Sequence, residues 1–313
     1  MTTRLEVTKT YKLFINGQFP RTESGRSISI PSTSDGVFAH TCHASRKDLR
    51  DAVVAARAAQ DAWQRRAAYN RGQILYRLAE MLEGKKQEFA EAIDAAGGAS
   101  TAPKHSKKSK SPPARRSPRP ARPTSSDEVA ASIDRLVAFA GWADKFQQVL
   151  GSNNPVSGPY YNYSSPEPTG VVAVVAPPRE LPLLALISLI APPLCAGNTI
   201  VALACESNPI PACILGEVAA TSDVPPGVIN LLTGLHAELI PHIAGHRDID
   251  AVHAANLPDD QARALREGAA ENVKRVTVRA LAPADWLNND LCASPWWIER
   301  FVEIKTIWHP AGA

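Results

Sequence analysis

The chain has 313 residues, enough for one or two domains with a full core, and its 44% hydrophobic and 21% charged content is that of an ordinary soluble globular protein. The opening stretch MTTRLEVTKTYKLF has no apolar run of signal-peptide length, and the longest apolar stretch, Leu181–Cys205, is broken by Pro182, Pro192, Pro193 and Gly197–Asn198. Secretion and a membrane span, which needs about 20 uninterrupted apolar residues, are therefore not expected, and the cytoplasm is. Five cysteines at scattered positions, Cys42, Cys195, Cys205, Cys213 and Cys292, form no CxxC pair or metal-like spacing and suit reduced, buried thiols.

In chain order, Tyr11–Phe19, with its Asn16–Gly17 turn, and Arg26–Pro31 read as a hairpin. Ser45–Asp48 is a capping box that opens a helix running to about Arg65. A second helix is expected from Asn70 to Ala96, where Ile74, Leu75, Leu78, Met81 and Leu82 recur at helical spacing. A third, near Asp127–Val149, places Ile133, Leu136, Val137 and Ala140 on one stripe.

Between these helices, Ser100–Ser126 has another character. It carries eight basic residues, six prolines, no acidic residue and no large apolar side chain, so it cannot bury a core and is expected to be a disordered insert. Without those eight charges the chain holds 26 basic and 31 acidic residues, a net charge of −5, so the basic balance belongs to the insert. The insert reads either as a solvated linker or as an electrostatic attachment to a polyanion or acidic partner. It has no aromatic residue on which a base could stack, so sequence-selective nucleic-acid recognition is not expected.

The stretch Pro166–Pro209 is one strand, helix and strand. Val171–Ala176 is a β-branched run stopped by Pro177 and Pro178, Leu183–Ala196 is a helix apolar nearly all round, and Thr199–Ala204 is the second strand. Helices at Pro209–Ala220, Ala237–Ala244 and Asp259–Ala270 alternate with strands at Val228–Leu232, Asp248–Ala254 and Val273–Val278. This alternation gives an α/β fold with a doubly wound parallel sheet. Residues 1–280 form that unit, 281–299 a linker, and 300–313 a tail with a β-prone segment, Phe301–Pro310.

The segments PEPTGVVAVVAP and AGNTIV resemble the entrance to the cofactor-binding domain of the NAD(P)-dependent aldehyde dehydrogenases. FINGQF at Phe14–Phe19, PPGVINLLTG at Pro225–Gly234, ENVKRV at Glu271–Val276 and FVEIKTIWHP at Phe301–Pro310 are similar to the same family in the same order. The resemblance implies NAD or NADP as cofactor, with Pro177, Glu206 and Gly234 as remnants of its site. It also implies an oligomerisation strand at the C-terminal segment.

The family's chemistry is mostly absent from the matching positions. Arg179 stands where the family has its oxyanion asparagine, and Leu203 stands where a lysine helps Glu206 hold the ribose. The glycine-rich turn is matched by Ala254–Gln261, which has no glycine and places Asp259 and Asp260 where phosphates would sit. Arg279 replaces the general-base glutamate, and an arginine cannot accept a proton at neutral pH. Cys292 lacks the family's flanking residues and any evident base. His242 and His246 are four apart but lack the glutamate of HExxH, so they read as a surface pair rather than a metal site.

These observations lead to a truncated, non-catalytic module that assembles with a full-length aldehyde dehydrogenase, or with itself, through Ile304–Trp308 on an edge supplied by another subunit. The alternatives are a diverged NAD(P)-dependent oxidoreductase and a nucleotide- or polyanion-binding protein that uses the basic insert.

Overall fold

The computed structural model describes residues 7–34, 36–96 and 123–311, and the expectation for residues 100–122 lies outside them. The N-terminal part begins with β1 (Thr10–Tyr11), β2 (Ser27–Pro31) and β3 (Val37–Cys42), in the order β1-β3-β2. The expected hairpin of Tyr11–Phe19 with Arg26–Pro31 does not form. Instead β2 pairs antiparallel with β3, and β1 pairs parallel with the other side of β3. The Asn16–Gly17 turn, both residues at positive φ, joins Ile15 to Gln18 and lets the Leu13 N–H donate to the Pro20 carbonyl at 3.1 Å.

Five helices follow among the described residues. α1 (Arg46–Gln64) opens with the expected capping box, Ser45 with Asp48. The expected second helix is two, α2 (Ala68–Gly84) and α3 (Lys86–Ala95), separated at Lys85, whose φ of −109° is not helical. α4 (Ser125–Trp142) starts inside the stretch expected to be disordered, because Thr124 caps it in a second capping box with Asp127. α5 (Phe146–Leu150) and two antiparallel strands, β4 (Ser152–Asn154) and β5 (Tyr160–Pro168), lead into the central sheet.

That sheet contains β6 (Val171–Val175), α6 (Leu184–Ala196), β7 (Thr199–Leu203), α7 (Ile210–Ala220), β8 (Ile229–Leu232), α8 (His236–Gly245), β9 (Ala251–Ala255), α9 (Asp259–Asn272) and β10 (Arg275–Arg279). The five strands are all parallel in the order β10-β9-β6-β7-β8, the doubly wound arrangement read from the sequence. Val172 and Val174 face one core with helices α2, α4, α6 and α7, while Val171, Ala173 and Val175 face a second with α1, α8 and α9. Each of these valines is fully buried. At about 25 cal/mol per Å² of apolar area removed from water, this three-layer burial dominates the stability.

The N-terminal rim of the sheet is a closed polar network. Arg57 on α1 donates to Asp248 at 2.7 Å and to Asp250 at 2.6 Å, and Asp250 accepts the Val171 N–H at 2.7 Å. Gly170 sits against Asp250 at φ +136°, and a Cβ there would lie 2.0 Å from the carboxylate oxygen.

The stretch 281–299, expected as a linker, contains α10 (Asn289–Cys292) and α11 (Trp296–Glu299) and packs Trp286, Trp297 and Ile298 into the core. The tail forms β11 (Val302–Pro310), and here the expectation of an edge from another subunit is overturned. β11 pairs antiparallel with β5 of its own chain along its whole length, from Val302 opposite Pro168 to Pro310 opposite Tyr160. Among the described residues no helix is long and apolar enough to cross a membrane.

Candidate functional site

In a doubly wound sheet, ligands sit beyond the C-terminal ends of the strands, near the point where strand order reverses, here between β6 and β9. Pro177 is buried at the end of β6, and Arg179 projects into solvent from the loop that follows. Glu180 in that loop accepts from Asn256 Nδ2 at 3.1 Å, tying the ends of β6 and β9 together. Asn256 takes the left-handed backbone, φ 50°, that a glycine-free turn needs, and its side chain also holds Leu281 through both N–H and carbonyl. Asp259 and Asp260 occupy the first turn of α9, where they suit the positive end of the helix dipole.

Beside this loop lies a cavity of about 560 Å³, lined by Glu128, Arg179, Glu180, Leu181, Ser207 and Asn208 among others. Glu128 on α4 is almost fully buried and accepts the N–H groups of Leu183 and Leu184 at 2.8 and 3.1 Å, at the start of α6. Burial raises its carboxyl to about 7 despite those two donors, so it changes charge near neutrality.

The positions that the resemblance assigns to the ribose are filled by the chain itself. Leu203 is buried at the end of β7, and the Glu206 carboxylate accepts the backbone N–H of His236 at 2.5 Å, at the first residue of α8. The His236 ring is fully buried and donates from Nε2 to the Ala204 carbonyl at 2.9 Å, so it packs against the end of β7. Burial lowers its pKa, which keeps it neutral. Gly234 packs against Ala44 and Leu239, with room for a Cβ only at 3.2 Å from the Leu239 side chain.

At the base position, Arg279 is held by its surroundings. Its Nε donates to His253 Nε2 at 2.8 Å, and its guanidinium lies 3.5 Å from the centre of the Trp297 ring. Burial lowers its pKa to about 10, which still leaves it a cation at neutral pH. His253 in turn donates from Nδ1 to the Leu189 carbonyl at 2.8 Å. That carbonyl is available because Pro193, four residues on in α6, has no N–H to offer it. A buried ring with one nitrogen donating and the other accepting is neutral, in keeping with its strongly lowered pKa.

Cys292 lies near Arg279 and Arg135. Its thiol donates to the Asp285 carbonyl at 3.3 Å, and burial raises its pKa although both arginines act to lower it. Arg135 is fully buried and donates to Ser188 Oγ at 2.7 Å and the Trp286 carbonyl at 2.8 Å. All five cysteines are free and buried. His242 and His246 line a surface groove, and among the described residues no three His, Cys, Asp or Glu side chains cluster as metal ligands.

The structure thus joins Arg279 to Cys292, Glu206 to the start of α8, and the Arg179 loop to Asn256. Sequence reasoning missed Glu128, Arg135, His236 and His253. Of these, only His253 gave a signal, as a polar residue in the apolar strand AVHAA.

The sequence profile of the aldehyde dehydrogenase family matches residues 21–109 and 116–280. Retinal dehydrogenase 2 of Mus musculus is 32% identical over 283 residues, 88% of this chain and 49% of its own length. Aldehyde dehydrogenase family 2 member B4, mitochondrial, of Arabidopsis thaliana is 30% identical over 85% of this chain and 46% of its own length. The NAD+ complex structure of an aldehyde dehydrogenase from Bacillus cereus superposes with a TM-score of 0.72 at 26% identity, covering 87% of this chain and 51% of that one. The chain spans about half the length of these relatives. It belongs to the aldehyde dehydrogenase family.

Proposed function

We propose that this chain acts in the cytoplasm as a non-catalytic member of its family that assembles with a full-length aldehyde dehydrogenase subunit. The observation that carries the reading is Arg279: the position that needs a base holds a cation fixed between His253 and Trp297. No rotation of that side chain could make it a proton acceptor.

A dinucleotide does not fit the groups present. The Glu206 carboxylate accepts the His236 backbone N–H, the His236 ring donates to the Ala204 carbonyl, and the two aspartates of α9 would repel a pyrophosphate.

Assembly is supported by β11. It lies at the edge of the three-stranded sheet β11-β5-β4, so among the described residues one side of its backbone has no strand partner. Ile304 and Trp308 are more than half exposed on one face, and Ile307 is exposed on the other. Tyr160 packs edge-on against Trp308 and extends this apolar surface. Mixing the purified chain with a full-length aldehyde dehydrogenase from the same cell and measuring size and mass tests the reading. Ile304→Glu with Trp308→Glu should abolish a mixed complex while leaving the sheet-based domain folded. A mixed complex that survives both substitutions would remove β11 as the interface, and a self-paired dimer alone would leave the homo-oligomer. NAD(P)-dependent aldehyde oxidation is the second reading, favoured by the dehydrogenase names of the relatives.

A further inference from the structure

A groove of about 790 Å³ lies between the first turns of α1 and the C-terminal half of α8, away from the sheet rim described above. Its lining includes Arg46, Lys47, Arg50 and Arg247 and the imidazoles of His242 and His246, against one carboxylate, Glu23. Two of the groove's cations, Lys47 and Arg50, already pair with carboxylates, and two further nearby carboxylates pair outside the groove. Glu23 pairs with Lys47 at 2.8 Å, Asp51 with Arg50 at 2.8 Å, Asp248 with Arg57 at 2.7 Å, and Glu238 with Arg26 at 2.9 Å. Among the described residues no carboxylate pairs with Arg46 or Arg247.

Arg46 and Arg50 are one helical turn apart and so share a face of α1. The amides at the start of α1 are already capped by Ser45, so the attraction rests on the side chains alone. Apart from the stretch between Lys104 and Arg122, the chain is net acidic, with 26 basic against 31 acidic residues. A concentration of cations on an acidic body raises self-repulsion that an anion would relieve. Leu49 and Pro241 give the groove an apolar floor that limits water around a bound group.

We propose that the groove between α1 and α8 binds a small anion with two or more linked phosphates, held by Arg46, Lys47, Arg50 and Arg247. Guanidinium groups suit this role because they donate two parallel hydrogen bonds to phosphate oxygens. The chemistry is shared by free pyrophosphate or tripolyphosphate and by the phosphate chain of a nucleotide.

The test is calorimetric titration of the full chain with inorganic pyrophosphate, tripolyphosphate, ATP and, as a control, sulfate. Pyrophosphate and tripolyphosphate should bind far more tightly than sulfate, and binding should weaken with added salt, as expected of exposed charges. Arg46→Ser with Arg247→Ser should weaken binding by about tenfold or more, each lost charge-assisted bond being worth about 1.5–3 kcal/mol. Lys47→Ser with Arg50→Ser should repeat the loss from the α1 side alone. A chain with all eight basic residues between Lys104 and Arg122 changed to Ser should bind as before. ATP binding more than about tenfold tighter than tripolyphosphate would assign a nucleotide, and equal binding the phosphate chain alone. Absence of binding, unchanged affinity in both double variants, or loss only in the eight-Ser variant would overturn the proposal.

Discussion

The two rims of the central sheet differ in how their polar groups are used. At the N-terminal rim Arg57, Asp248, Asp250 and the Val171 amide satisfy one another, and Gly170 leaves the space that lets Asp250 approach. At the C-terminal rim the groups are held less completely: His236 Nδ1 and one terminal nitrogen of Arg279 are buried without a hydrogen-bond partner. Glu128 carries a carboxyl that burial has pushed towards neutrality. The closed network at the first rim bears more directly on the fold than the less completely paired groups at the second. Residues at the second rim can therefore change without loss of the sheet.

Breaking the first rim should have the largest effect. Gly170→Ala puts a methyl group where the Asp250 oxygen lies and forces a side chain into φ +136°. Backbone strain of about 1–3 kcal/mol adds to the loss of the part-buried Val171–Asp250 bond, so a destabilisation of about 3 kcal/mol or more is expected in urea unfolding. A loss below about 1 kcal/mol would mean that the rim is not rigid.

A smaller effect is expected from the second rim, with a definite sign in pH. The Glu128 carboxyl is raised from 4.5 to about 7 in the folded chain, so the folded state binds the extra proton between those values. Stability from this group is therefore present below about pH 4.5 and falls as pH rises to 7, by at most about 3 kcal/mol. Glu128→Gln should remove that slope and leave the variant more stable relative to wild type at pH 8 than at pH 5. Parallel stability curves for the two proteins between pH 5 and 8 would contradict this.

The smallest effect lies outside both rims and serves as a control. Val273 ends α9 in the left-handed region at φ 59° and is 91% exposed, so its β-branched side chain is strained and gains no burial. Val273→Gly should stabilise by about 1 kcal/mol in the same unfolding assay. A destabilising change would show that α9 does not end there in solution.

The central sheet was legible because its strands are β-branched runs bounded by proline and glycine, as at Val171–Pro178. β5 was not, and missing it led to the expectation of a foreign edge for β11. Its sequence YYNYSSPEP contains two prolines, which argue against a central strand. The structure resolves the conflict: β4 pairs only with Asn162–Ser164, so at Pro166 and Pro168 β5 has β11 on one side only. A missing N–H costs no ladder bond where that N–H faces no strand.

Leu203, Glu206 and Arg279 were singled out through the resemblance to the family, and the structure places them at or just beyond the ends of β7 and β10. Their partners were not. His236 meets Glu206 from the start of α8, His253 meets Arg279 from the neighbouring strand, and the His253 contact with Leu189 depends on a carbonyl freed by Pro193 on another element.

The most direct measurement is aldehyde-dependent NAD(P)H formation by the pure chain, with short-chain aldehydes and retinal, beside its Cys292→Ala variant. With Arg279 in the base position and Cys292 buried with a raised pKa, the expected rate is background and identical in both proteins. Turnover above background that disappears in Cys292→Ala would contradict the account, because it would require a nucleophile and a base where the structure places a buried thiol and a fixed cation.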